Sequence, residues 1–181
     1  IGTDHRNIDH RKPDCLIINP KQEDCDYPFP DLCGCGVAFK LAQGIQRKSG
    51  LPKTCLNQVL DLASLATIGD IVPLVDENRT LVKFGLNAIK KNQRLGLKQL
   101  LNCIGLNPQK LSSGTVAFTV VPHFNASGRM ASASTGVSLL VTKDMKKAEK
   151  LSRELVAYNN QRKQEQESAY EKCLEVALKE Y

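Results

Sequence analysis

Three groups of residues have the types and spacing to do chemistry. An acid and an imidazole stand side by side at Asp4-His5, directly after Ile1-Gly2-Thr3. That tripeptide reads as the tail of a buried strand, and open α/β sheets gather their chemistry at the C-terminal ends of strands. Asp70 lies in Thr67-Ile68-Gly69-Asp70-Ile71-Val72-Pro73-Leu74, where glycine and proline bracket it in a short connection between apolar segments. Asp4, His5 and Asp70 are hard or borderline donors that suit Mn2+ or Mg2+. Such an ion takes about six donors, more than these three residues supply. On the residues alone, His5 as a metal ligand stands beside His5 as a structural histidine at a strand end. Asp70 reads equally as an ordinary helix-terminal residue.

The third group is Asn125-Ala126-Ser127-Gly128-Arg129, which reads as a turn after Pro122. Such a turn leaves backbone N–H groups and a guanidinium to hold a phosphate, although Asn and Gly are also standard turn residues. His10 and His123 carry no pattern and read as loop or solvent positions. The doubled Asp-His-Arg at 4–6 and 9–11 reads as coincidence.

The net charge of +6 is unevenly spread. From Asn78 to Lys143 there is no acidic residue, while Arg79, Lys83, Lys90, Lys91, Arg94, Lys98, Lys110, Arg129 and Lys143 fall inside that stretch. Residues 1–77 are net acidic. An acid-free basic block beside an acidic region suits a polyanion guided toward a metal site, with a solvated basic face as the plain alternative. Seven cysteines, an odd number without pairing rhythm, read as reduced thiols, and Cys33 and Cys35 read as small core residues. A zinc or iron–sulfur site from Cys15, Cys25, Cys33 and Cys35 is the lesser alternative, since no Cys-x-x-Cys occurs. No apolar run approaches the roughly 18–20 residues of a membrane span, and no signal peptide is visible. The reading is a cytoplasmic protein.

Several elements must position these groups. Leu16-Ile17-Ile18, stopped by Asn19-Pro20, predicts a second buried strand. A helix is predicted from about Gly34 to Lys48, capped by Asp31 and with Gly50 beyond its end. Thr54 is predicted to cap a second helix carrying Leu56, Val59, Leu60, Ala63 and Ala66. Further helices are expected over 78–91 and 97–104. Thr115–Val121 is β-branched and reads as a strand by propensity, ended by Pro122. From Asp144, a plausible N-cap, a helix of some 30 residues carries a thin apolar stripe with a polar middle, the pattern of a helix that bridges domains.

Read together, the ordered segments Thr3-Asp4-His5, Ile18-Asn19-Pro20-Lys21, Gly34-x-Gly36-Val37-Ala38-Phe39-Lys40-Leu41, Leu65 to Leu74, Glu77-Asn78-Arg79 and Asn125 to Met130 resemble the DHH phosphoesterase family. Within it they resemble its single-strand-specific exonucleases, over nearly the whole chain. The resemblance implies an α/β fold: part of a parallel-sheet DHH-type domain over 1–143, mostly helical in this slice. A long connecting helix over 144–181 would lead to a second domain. It also implies that Thr115–Val121 is helical. The implied activity is 5′–3′ hydrolysis of single-stranded DNA in repair and recombination by a two-metal Mn2+ or Mg2+ site. A single-strand-binding protein and a helicase are the implied protein partners. In that family His5 is a metal ligand, Asp4 orients it, and Asp70 coordinates or bridges the metals. Asn125, Gly128 and Arg129 lie along the DNA backbone.

Two departures bear on catalysis. Arg6 stands where the family carries a second histidine near the scissile phosphate, and an arginine cannot donate and recover a proton near neutral pH. His123 stands where the family has arginine. The aspartates that complete the metal site are not in these residues, so the chain reads as an internal slice, inactive and poorly folded on its own. Two alternatives are a relative acting on short oligonucleotides or cyclic dinucleotides, and a non-catalytic DNA-binding relative.

Overall fold

The computed structural model describes residues 1–7, 14–91 and 94–180. The second Asp-His-Arg, with His10, lies outside them. Strands β1 (Gly2–Thr3) and β2 (Ile17–Ile18) precede helices α1 (Gly34–Lys48), α2 (Leu60–Gly69), α3 (Asp76–Lys90) and α4 (Leu95–Cys103). The one-turn α5 (Ser113–Thr115), α6 (Val121–Met130), α7 (Ser134–Val141) and α8 (Met145–Glu180) follow. The α/β reading, mostly helical around a small parallel sheet, is what the structure has. Among the described residues no helix is long and apolar enough to cross a membrane.

The chain forms two compact units. One comprises Ile1–Lys91 with Leu111–Val116, the other Asn92–Lys110 with Ala117–Tyr181. These boundaries group α8 with the helices it packs on.

In the first unit β1 and β2 pair in parallel, Gly2 opposite Ile17 and Thr3 opposite Ile18. Both strands were expected, but not their exposure. Ile1 and Leu16, the residues just before β1 and β2, are 79% and 75% exposed, whereas Ile17 and Ile18 are half-buried. Helix α1 is capped by Cys33, whose Sγ accepts the Gly36 N–H at 3.2 Å, not by Asp31. Gly50 beyond its end takes φ +67 as a terminating glycine should.

The helix expected from Thr54 is instead a tight three-residue-period stretch over Lys53–Val59 before α2. Its period sets Leu56 and Val59 on one side, and both pack on the core of Phe29, Leu32, Val37, Phe39, Ala63 and Leu81. Helix α3 crosses α2 at Gly85. A Cβ there would lie 2.1 Å from Ser64 Cβ and 2.4 Å from the Leu60 carbonyl oxygen.

In the second unit α4, α6 and α7 pack on α8. Asp144 caps α8 as read from the sequence, accepting the Lys147 N–H at 3.1 Å. Leu155 is fully buried, whereas Ala169, Cys173, Val176 and Ala177, the far half of the apolar stripe, are exposed. Helix α7 falls in a stretch for which the sequence pattern named no element.

Propensity failed at Thr115–Val121, which is helical as the resemblance implied. Val116, Val120 and Val121 are buried at helical spacing, and burial of one stripe outweighs a β-branched preference worth about 1 kcal/mol. Pro122 does not end the element. It lies in the first turn of α6 and has no N–H for the Phe118 carbonyl four residues back. The preceding turn, Val116–Val120, widens to a π-helical one.

Candidate functional site

The end of β1 and the end of α2 carry the pair expected from the sequence. His5 Nδ1 lies 3.4 Å from Asp70 Oδ2, the imidazole 27% and the carboxylate 41% exposed. Two donors at about 2.1 Å from one ion, at right angles, lie about 3 Å apart, so the pair fits one edge of a coordination shell. Its donor chemistry, one imidazole and one carboxylate, suits Mn2+ or Mg2+. Among the described residues no cluster of three or more His, Cys, Asp or Glu forms a fuller site.

Each partner is held by its surroundings. The Asp4 N–H donates to the Ile18 carbonyl at 3.1 Å, so the sheet ladder delivers the chain to the site. Asp4 Oδ1 then accepts the backbone N–H groups of His5 at 2.8 Å and Arg6 at 3.2 Å. These two bonds, His5 first, hold its carboxyl below the usual range. Asp4 therefore shapes the backbone under His5 through these two bonds. Buried Asn19 locks the same turn from β2, donating Nδ2 to the Arg6 carbonyl at 2.9 Å. The His5 ring rests on the start of α1, where a Cβ at Gly34 would come within 3.2 Å of Cδ2.

Asp70 is placed by contacts that the sequence did not reveal. Cys33 Sγ meets Thr67 Oγ1 at 3.5 Å and ties the start of α1 to the last turn of α2. Beyond Asp70 the chain reverses through Ile71 at φ 58 and Asp76 at φ 42. Fully buried Asn78 closes this reversal, donating Nδ2 to the carbonyls of Pro73 at 2.9 Å and Asp31 at 2.7 Å. Glu77 accepts from Lys40 Nζ on α1 and from the Tyr27 hydroxyl, both at 2.5 Å. Burial would raise the Glu77 carboxyl, but those two bonds outweigh it and hold it low. Lys40, Glu77 and Asn78 belonged to the quoted motifs. Nothing in their spacing marked them as braces for Asp70.

Arg6, which follows them in the chain, has its side chain 80% exposed, with Nε 3.4 Å from Asp4 Oδ1.

Asn125, Gly128 and Arg129 belong to the second unit, on α6 rather than in a turn. The helix spends the N–H groups that a turn would leave free. What this segment offers an anion is therefore the side chains of Asn125 and Arg129, both exposed and four residues apart on the helix. A Cβ at Gly128 would meet only Ala133 Cβ, at an ordinary 3.7 Å.

On the opposite face of α6 is His123, 6% exposed and not the loop residue expected. Its Nδ1 lies 2.8 Å from the Thr119 carbonyl, and Asn159 Nδ2 on α8 lies 3.3 Å from Nε2. A neutral ring with its proton on Nδ1 satisfies both bonds. Burial, followed by the nearby charges of Lys163 and Arg162, pushes its pKa below 6.5. The unfolded chain therefore takes up this proton at higher pH than the folded chain does. Its stabilisation is complete above about pH 6.5 and is lost as the pH falls through the folded value. Thermal midpoints are expected to drop from pH 7 to pH 5 more steeply in the wild type than in His123→Gln. Equal slopes would contradict this.

No family model matches the chain. It is 41% identical over 163 residues to the single-stranded-DNA-specific exonuclease RecJ of Bacillus subtilis, a match covering 90% of this chain and 20% of that protein. It is 36% identical over 181 residues to RecJ of Escherichia coli, covering 91% of this chain and 30% of that protein. Among solved structures, RecJ of Thermus thermophilus in complex with Mn2+ has a TM-score of 0.82 at 33% identity, over 94% of this chain and 25% of that one. Exonuclease RecJ bound to manganese has a TM-score of 0.83 at 32% identity, over 93% of this chain and 42% of that one. The chain thus spans 20–30% of the length of the curated RecJ relatives compared.

Proposed function

Because this chain matches a stretch of the RecJ exonucleases over nine-tenths of its length, we propose that it forms part of a metal-dependent exonuclease. The enzyme would hydrolyse single-stranded DNA from the 5′ end in DNA repair and recombination. It would act in the cytoplasm, with a single-strand-binding protein and a helicase as protein partners. The observation that carries this reading is the His5–Asp70 pair, formed from residues 65 positions apart at the ends of β1 and α2.

His5 and Asp70 hold the metal, and Asp4 and Asn19 fix the backbone from which His5 reaches it. Bound there, Mn2+ or Mg2+ supplies Lewis-acid stabilisation of the phosphodiester and a more acidic water. Asn125 and Arg129 hold backbone phosphates, the guanidinium offering a planar fork of donors that fits an oxyanion. Arg6 adds positive charge beside Asp4 but carries no proton to and fro.

The test is digestion of end-labelled single strands by the complete gene product. With Mn2+, mononucleotides are expected to be released from the 5′ end of long single strands, with little loss from duplex and none after chelation. Cleavage confined to dinucleotides or cyclic dinucleotides would overturn the proposal in favour of a small-substrate phosphoesterase.

A further inference from the structure

From Val116 to Met130, all of them described, four residues are exposed: Phe118, Asn125, Gly128 and Arg129. Three of them make up the phosphate-binding group. The fourth has no part in it, yet the Phe118 ring is 87% exposed, while Val116 and Val120 on either side of it are 1% exposed. Leaving a phenylalanine in water forgoes the stabilisation that burial would bring, and its ring is free to meet a ligand.

That position is built by the chain around it. Phe118 is the middle residue of the widened turn Val116–Val120, and such turns recur at functional sites. The inward valines anchor one side of the turn and hold the ring on the other. Phe118 precedes Asn125 by seven residues and Arg129 by eleven, and all three side chains face solvent. At about 1.5 Å per residue they span roughly 16 Å, a length that a few nucleotides of a single strand cover.

We propose that Phe118 is a stacking platform for a nucleobase of the single strand whose phosphates Asn125 and Arg129 hold. An aromatic ring beside side chains that grip the backbone is how sequence-tolerant single-strand binding is achieved, since every base has a π face. Charge favours a polyanion over a protein partner, because no acidic residue occurs between Asn78 and Lys143. The surroundings agree. The other exposed positions of α6 are Asn, Gly and Arg, not the contiguous apolar patch of a protein-binding face. The inference rests on the phosphate-binding role proposed above for α6.

These 181 residues contain no tryptophan, so Phe118→Trp places the one indole of this stretch at this position. Its emission is expected to be quenched by an oligothymidylate of about twenty nucleotides but hardly changed by an abasic deoxyribose-phosphate strand of equal length. Phe118→Ala, folded as judged by circular dichroism, is expected to bind the oligothymidylate about tenfold more weakly and the abasic strand within about twofold of wild type. Unchanged oligothymidylate affinity in Phe118→Ala would overturn the stacking role while leaving phosphate binding intact. An indole already blue-shifted and shielded from acrylamide without DNA would overturn it in favour of a protein cover. If wild type binds neither strand in anisotropy titrations, the phosphate-binding reading fails, and the stacking role with it.

Discussion

Replacing Asp70 by asparagine is expected to lower Mn2+-dependent hydrolysis of single-stranded DNA by more than about 100-fold and to weaken Mn2+ binding by a similar factor. Disturbing even the partners behind metal ligands costs about 10–100-fold, so loss of a charged ligand costs at least as much. The fold should hardly notice. Asp70 ends α2 through its backbone N–H, which donates to the Ala66 carbonyl at 2.9 Å, and asparagine keeps that bond. Its carboxylate is 41% exposed and its ion pair is with His5, so the thermal midpoint should move by no more than about 3 °C, the range of a surface substitution. Turnover of end-labelled strands, calorimetric Mn2+ titration and a thermal melt check the three parts. Wild-type Mn2+ affinity in Asp70→Asn would remove this residue from the metal site.

Gly85→Ala is expected to destabilise the first unit by about 3 kcal/mol, at or above the usual upper range for overpacking. The added methyl would sit 2.1 Å from Ser64 Cβ and 2.4 Å from the Leu60 carbonyl oxygen. One of those atoms is backbone and the other a Cβ, so neither can swing aside, and α2 and α3 must part. Because α2 carries Asp70, the separation should also weaken Mn2+ binding. Gly44 on α1 is the control. A Cβ there meets nothing within 4 Å, and Gly44→Ala should stabilise by about 0.5–1 kcal/mol through helix propensity. Urea denaturation of the two variants separates the effects. A loss below about 1 kcal/mol at Gly85 would show that the helices yield easily.

Local pattern was a good guide wherever one segment decides its own state. The stop at Asn19-Pro20, the glycine after α1 and the Asp144 cap are short-range signals, and each led to the right element. It misled where burial overruled propensity. Val116, Val120 and Val121 favour a strand when read singly, yet a helix buries all three on one stripe. That one misreading also turned Asn125–Arg129 from helix into turn, and so assigned phosphate binding to backbone N–H groups that α6 consumes. His123 was misplaced for the same reason, since Thr119 meets it only when the segment is helical and Asn159 only once α6 packs on α8.

Residue type was enough to name the candidate metal donors, because an imidazole and a carboxylate carry their coordination chemistry wherever they stand. It was also enough to show an acid-free stretch suited to a polyanion. Residue type could not bring His5 within 3.4 Å of Asp70. That distance follows from the β1–β2 register, the close crossing at Gly85, the Cys33–Thr67 contact and the Asn78 clasp. All are long-range contacts between segments whose spacing in sequence says nothing of their spacing in space. The exposure of Phe118 has the same origin, because only packing reveals which side of a helix is left facing water.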